Sequence, residues 1–89
     1  MADFFSRRFS KFVWLTSHAK ASMLKRAISE DILIEIIERG ATHHKDKNHL
    51  WCFRQIEGRL DNLICAAIFE ADSLIVKTVM INWSLESEI

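Results

Sequence analysis

His18 and Arg26 stand eight positions apart in the stretch LTSHAKASMLKRAIS, residues 15–29. If that stretch is helical, the two side chains project within about 80° of each other. Together they could serve acid–base chemistry on an anionic substrate. Such a reaction needs a base for the attacking group, a proton for the leaving group, and a cation for the charge that develops in the transition state. His18 would be the base, placed in a first helical turn, where the helix dipole disfavours a protonated imidazole. Arg26 would hold the anion, with Arg54 and Lys77 as further cations from the sheet. Each residue also has a structural reading. The His18 ring could bond to the sheet or to a helix end, and Arg26 could pair with an acid such as Glu30.

The remaining reactive side chains form weaker patterns. His43, His44 and His49 are close in sequence, but on a strand His43 and Lys45 share one face while His44 and Asp46 share the other. No face therefore collects three metal ligands, and an exposed polar hairpin is the expected reading. Cys52 and Cys65 lack zinc-type spacing and read as buried reduced thiols. Trp51, Phe53 and Trp83 could stack bases, yet little positive charge surrounds them, which favours core or interface. Neither a cofactor nor a metal is implied. Nucleophile triads, phosphate-cradling glycine loops and paired catalytic carboxylates are not recognisable.

Two helices must position His18 and Arg26. The first opens at Thr16 or Ser17, either of which can cap it, and covers residues 17–27. The second covers residues 29–39, with Ser29 as cap and Glu30 and Asp31 in its first turn. Ile32, Leu33, Ile36 and Ile37 form its apolar face. Arg39 is its terminal cation, and Gly40 is expected to be the left-handed residue that ends it. Beyond Gly40 the period turns from helical to alternating. Residues 41–47 read as a polar edge strand and 46–48 as its turn. Residues 50–56, 63–69 and 74–81 read as strands, the last two apolar on both faces and therefore central. The expected order is α-α-β-β-β-β. That is an α+β fold, a helix hairpin packed on a three- to four-stranded antiparallel sheet.

A helix pair covers only one face of such a sheet. The other must be covered by Phe5, Phe9 and Phe12, by the tail from Trp83, or by another protein chain. Phe5, Phe9 and Phe12 have helical spacing with Arg8 and Lys11 beside them. They read as an amphipathic helix that folds onto its own domain, or alternatively binds a membrane surface or a partner. Residues 11–15 could equally be a short strand.

The 89 residues are expected to form one domain: an aromatic and basic arm (1–12), a core (13–82) and an acidic tail (83–89). Lys plus Arg and Asp plus Glu each number 12, which argues against a strongly basic nucleic-acid binder. The distribution is uneven, however. Residues 1–28 carry six basic side chains against Asp3, net +5, and residues 57–89 carry two against six acids, net −4. No apolar run approaches the roughly 20 residues of a membrane span, and no signal peptide is legible, so a cytoplasmic protein is the default.

The pattern His18, Ala19, Met23, Arg26, Ile28 and Ser29, then a second helix ending at Gly40 and a final strand containing Thr78, resembles the bacterial family called domain of unknown function 4258. The resemblance covers residues 13 to about 80 and adds Thr78 to the candidate site residues. This chain has Ala27 where the family usually has glycine, a departure that touches no chemical group. The family is similar in plan to the RelE-like and BrnT-like ribonuclease toxins of bacterial toxin-antitoxin pairs. That similarity implies a small ribonuclease-like toxin, a metal-independent endoribonuclease in which His18 would take the proton of the ribose 2′-hydroxyl and Arg26 would hold the phosphate, with an antitoxin protein and RNA as partners. The alternative is a non-catalytic interaction module with the same fold, for example a homodimer.

Overall fold

The computed structural model describes residues 1–84. The elements run β1 (Phe4–Ser6), β2 (Lys11–Leu15), α1 (Ser17–Lys25), α2 (Glu30–Arg39), β3 (Ala41–His44), β4 (His49–Arg54), β5 (Leu63–Glu70) and β6 (Leu74–Trp83). All six strands join one sheet in the order β1-β2-β6-β5-β4-β3. Every pairing is antiparallel except β2 with β6, which is parallel.

This corrects the expected α-α-β-β-β-β order and its three- to four-stranded antiparallel sheet. The helices lie between the second and third strands of a six-stranded mixed sheet. The error lies in the N-terminal segment. Phe5, Phe9 and Phe12 match a helical period, but a tight hairpin produces the same spacing. Phe5 stands opposite Phe12 across β1 and β2, and Ser10 turns the chain with φ of 54°. Phe4 and Phe9 then pack toward the core while Phe5 and Phe12 face the other way. Of the two readings open for residues 11–15, the strand is the one found.

The hairpin is tied to α2 by its turn. The buried Ser6 hydroxyl donates to Glu38 Oε2 at 2.7 Å, and the Arg7 backbone N–H donates to Glu38 Oε1 at 2.7 Å. The Arg8 guanidinium donates to the carbonyls of Ile37 (3.2 Å) and Gly40 (2.6 Å). It thereby satisfies carbonyls that the end of α2 would leave open.

Both helix starts are where the sequence puts them. Thr16 Oγ1 accepts from the Ala19 N–H, and Ser29 Oγ accepts from the Ile32 N–H. On α2, Leu33, Ile36 and Ile37 are fully buried, each contributing about 1.5–3 kcal/mol. They join Val13, Leu50, Cys52, Ile64, Ala66, Ile68 and Val76 in a core between the helices and one sheet face.

The helix ends differ from expectation. Gly40 is extended, with φ of −71°. Glycine is needed there because a β-carbon would collide with the Ile36 carbonyl oxygen and meet that of Phe53 at 2.7 Å. The left-handed residue is Ala27, with φ of 54°. Helix α1 stops at Lys25 with Arg26 as its cap. The Ile28 N–H donates to Met23 O and the Ala27 N–H to Leu24 O, while Met23 and Ile28 are both buried. This is the paired-bond, hydrophobic-contact ending that favours glycine at the position Ala27 occupies. Arg59 completes it by donating to the carbonyls of Arg26 (3.0 Å) and Ala27 (2.8 Å) while pairing with Asp61 at 2.7 Å.

The second sheet face lacks the covering arm expected of Phe5, Phe9 and Phe12. Phe5 and Phe12 extend that face and stay 48% and 56% exposed, and Phe9 lies on the core side. Trp83 does cover part of it. Its ring lies 5.7 Å from Trp51 and 4.8 Å from Phe53, and it is almost fully buried. The rest of the expected acidic tail, residues 85–89, lies outside the described residues.

Candidate functional site

Strand β2 pairs with only the first half of β6. The last rungs set Leu15 opposite Val76 and let the Thr16 N–H donate to Val76 O at 3.2 Å. There the chain turns into α1, which packs beside the second half of β6 where a strand would otherwise continue. Ser22, buried on α1, replaces that missing neighbour. Its hydroxyl donates to Ala19 O at 2.9 Å and accepts the Val79 N–H at 3.2 Å, while Thr78 Oγ1 lies 3.5 Å away.

Along this junction runs an open cleft of about 270 Å³ lined by His18, Ala21, Ser22, Lys25, Arg26 and Thr78. Four of the six come from one face of α1, repeating every three or four residues as helix geometry requires, and Arg26 is the cap of that helix. Among the described residues the lining holds two permanent cations and an exposed imidazole, and no carboxylate. Arg26 makes no ion pair among the described residues, and its Nε is buried without a protein acceptor. A buried donor left unpaired costs about 1–3 kcal/mol.

Three of the five sequence candidates, His18, Arg26 and Thr78, therefore converge. Lys77, next to Thr78, is exposed on the open sheet face beside Trp51, Ala67 and His49. Arg54 belongs elsewhere. It donates to Glu35 Oε2 at 2.8 Å and to the Arg39 carbonyl at 3.3 Å, fastening α2 to β4. Ser22 and Lys25 were missed, although both lie on the helical stripe that His18 and Arg26 define.

The histidines outside the cleft are dispersed. His43 stacks on Trp51 with centroids 5.6 Å apart, His44 bonds Glu70 at 3.1 Å, and His49 bonds Asp46 at 2.9 Å. Among the described residues no group of three His, Cys, Asp or Glu is placed to hold a metal ion. The hydrogen bond to His49 and the backbone N–H bonds hold the Asp46 carboxyl down to about 2. Burial tends to raise Glu70, but hydrogen bonds from His44 and Lys11 outweigh it and leave that carboxyl below its ordinary value. Burial pushes the Cys52 thiol up to about 12, so it is an unreactive core side chain.

Over residues 15–81 the chain matches the family described as Domain of unknown function (DUF4258), and it belongs to that family. The match takes in α1, α2 and most of β6 but begins at the last residue of β2, so the N-terminal hairpin lies outside it. Searches of curated proteins and of solved structures find no match. They therefore do not tie the chain to the RelE-like or BrnT-like toxins. No helix among the described residues is long and apolar enough to cross a membrane.

Proposed function

We propose that this protein is a small bacterial ribonuclease-like toxin whose substrate phosphodiester enters the cleft between α1 and β6. The observation that carries the reading is the convergence of His18, Arg26 and Thr78 in one open recess whose described lining holds no carboxylate. His18 takes the proton of the ribose 2′-hydroxyl as that oxygen attacks phosphorus. Arg26 and Lys25 offset the charge on the non-bridging oxygens, and Thr78 can donate a hydrogen bond to one of them. The bond from phosphorus to the 5′-oxygen breaks, and the departing oxygen takes its proton from solvent, to which the cleft is open. No metal enters this scheme. Arg54 has no part in it, because it is engaged with Glu35. An antitoxin protein would be the natural partner of such an activity, and the cytoplasm its site of action.

Expression of the wild-type chain in bacteria is expected to arrest growth, and the purified protein to cleave RNA. His18→Ala and Arg26→Ala should each lower cleavage about 10²-fold or more. The His18 ring is exposed, so its loss should leave the melting temperature unchanged. Harmless expression together with no RNA cleavage at low salt would refute the reading. A second reading, a non-catalytic interaction module, is favoured by one observation, the exposure of Phe5, Phe12 and Trp14 on the open sheet face.

A further inference from the structure

The N-terminal hairpin lies outside the family match and carries three of the largest exposed apolar side chains. Phe5, Phe12 and Trp14 are 48%, 56% and 41% exposed. Strand alternation puts all three on the face away from the helices, because Val13 between Phe12 and Trp14 is fully buried in the core. Phe5 and Phe12 meet edge to face at 5.0 Å.

The sheet register sets this aromatic row beside the cleft. Trp14 stands opposite Ile75 on β6, and Lys77 and Thr78 follow two and three residues further along the same strand. At the rise of an extended chain that is about 7–10 Å. Thr78 is a wall of the cleft and Lys77 is exposed beside it. The register therefore sets Trp14 within about 10 Å, along β6, of the strand residue that walls the recess of Lys25, Arg26 and His18, with Lys77 exposed between them.

We infer that this surface binds single-stranded RNA, with bases stacked on Trp14 and Phe12 while the backbone passes Lys77 into the α1–β6 cleft. The inference rests on the reading of that cleft as a phosphodiester site and names the form of its substrate. Aromatic faces accept unpaired bases of any sequence, and cations alongside follow the backbone, which is how single strands are commonly held. A duplex keeps its bases stacked inside and offers nothing to such rings. Charge separates this occupant from a second copy of the chain. Among the described residues no strand position on this face is a carboxylate, so the same face of a second copy would set no strand carboxylate against Lys77. The nearby Asp3 carboxylate is engaged, accepting the Leu15 N–H at 2.8 Å and lying 3.8 Å from Lys20. The concave cleft also suits an extended strand better than a flat lipid surface.

The test uses the full chain and a fluorescently labelled 2′-O-methyl RNA oligonucleotide, which cannot be cleaved through its 2′-oxygen. The single strand, its duplex and vesicles containing an anionic phospholipid are titrated in parallel. The single strand should bind more tightly than the duplex. Trp14→Ala should weaken it about five- to a hundredfold, with Trp14→Phe recovering most of the loss. Phe12→Ala should act in the same direction, and thermal melting should show each variant folded. Wild-type affinity in both alanine variants would overturn the inference, as would wild-type binding to vesicles but not to the oligonucleotide. Cleavage separates this proposal from the catalytic one. A protein that binds the strand through Trp14 but cuts no RNA retains the inference and loses the activity. RNA cleavage with KM unmoved by Trp14→Ala retains the activity and refutes the inference.

Discussion

Replacing Ala27 by glycine is expected to stabilise the protein. Ala27 has φ of 54° and is exposed, so its methyl group gains little from packing while its backbone sits in the left-handed region. An L-residue pays about 1–2 kcal/mol for that conformation. Glycine adopts it freely but returns about 0.5–1 kcal/mol through the greater freedom of its unfolded chain. At the middle of both ranges the net gain is about 0.75 kcal/mol. For a chain of this size that corresponds to a melting temperature higher by about 3–6 °C. The bonds around the position run through the backbone of residues 27 and 28 and through the Arg59 guanidinium, all of which the substitution leaves in place. Thermal denaturation followed by circular dichroism measures the effect. A melting temperature equal to or below wild type would refute the assignment of Ala27 as the strained end of α1.

Gly40→Ala should act in the opposite sense despite a favourable φ. The new methyl group would run into backbone oxygens of Ile36 and Phe53, and a loss of about 1–3 kcal/mol in urea denaturation is expected. Ser22→Ala removes the acceptor of the buried Val79 N–H and should cost about 1–3 kcal/mol. The Val79 amide should then exchange with solvent faster than its neighbours on β6. Glu70 gives a pH dependence with a definite sign. Its carboxyl is held below the ordinary 4.5 in the folded state, against the tendency of burial, by His44 and Lys11. Its contribution is therefore full above 4.5 and fades as pH falls through the lower folded value. Lys11→Ala should raise the Glu70 titration observed by carboxyl NMR toward 4.5, and an unmoved titration would show that the ion pair contributes nothing.

The parts of this fold that could be read in the sequence are those fixed by local chemistry. Thr16 and Ser29 cap their helices through bonds three residues long, and the alternation in residues 49–54 needs only its neighbours to be a strand. The N-terminal hairpin was obscured because Phe5, Phe9 and Phe12 satisfy a helical period and a strand-turn-strand path equally well. The parallel pairing of β2 with β6 joins Val13 to Leu74, and no local pattern encodes a contact that distant. Gly40 is extended, and not left-handed as expected, for a reason equally distant in sequence. The oxygen of Phe53 that forbids a side chain at Gly40 comes from another element. In the cleft, His18 and Arg26 were legible as one helical stripe. Thr78 came from family resemblance, and Arg54 was misplaced because nothing in the sequence reveals that Glu35 faces it.

The most direct measurement of the cleft's role is a titration of isotopically labelled protein with uncleavable single-stranded RNA, followed by amide NMR. Saturable shifts concentrated at His18, Ser22, Lys25, Arg26 and Thr78, and weakened by Arg26→Ala in a protein that stays folded, are the expected result. Absence of shifts at these residues, or saturable shifts confined to the far edge of the sheet at β3, would contradict the assignment of the α1–β6 cleft as an RNA site.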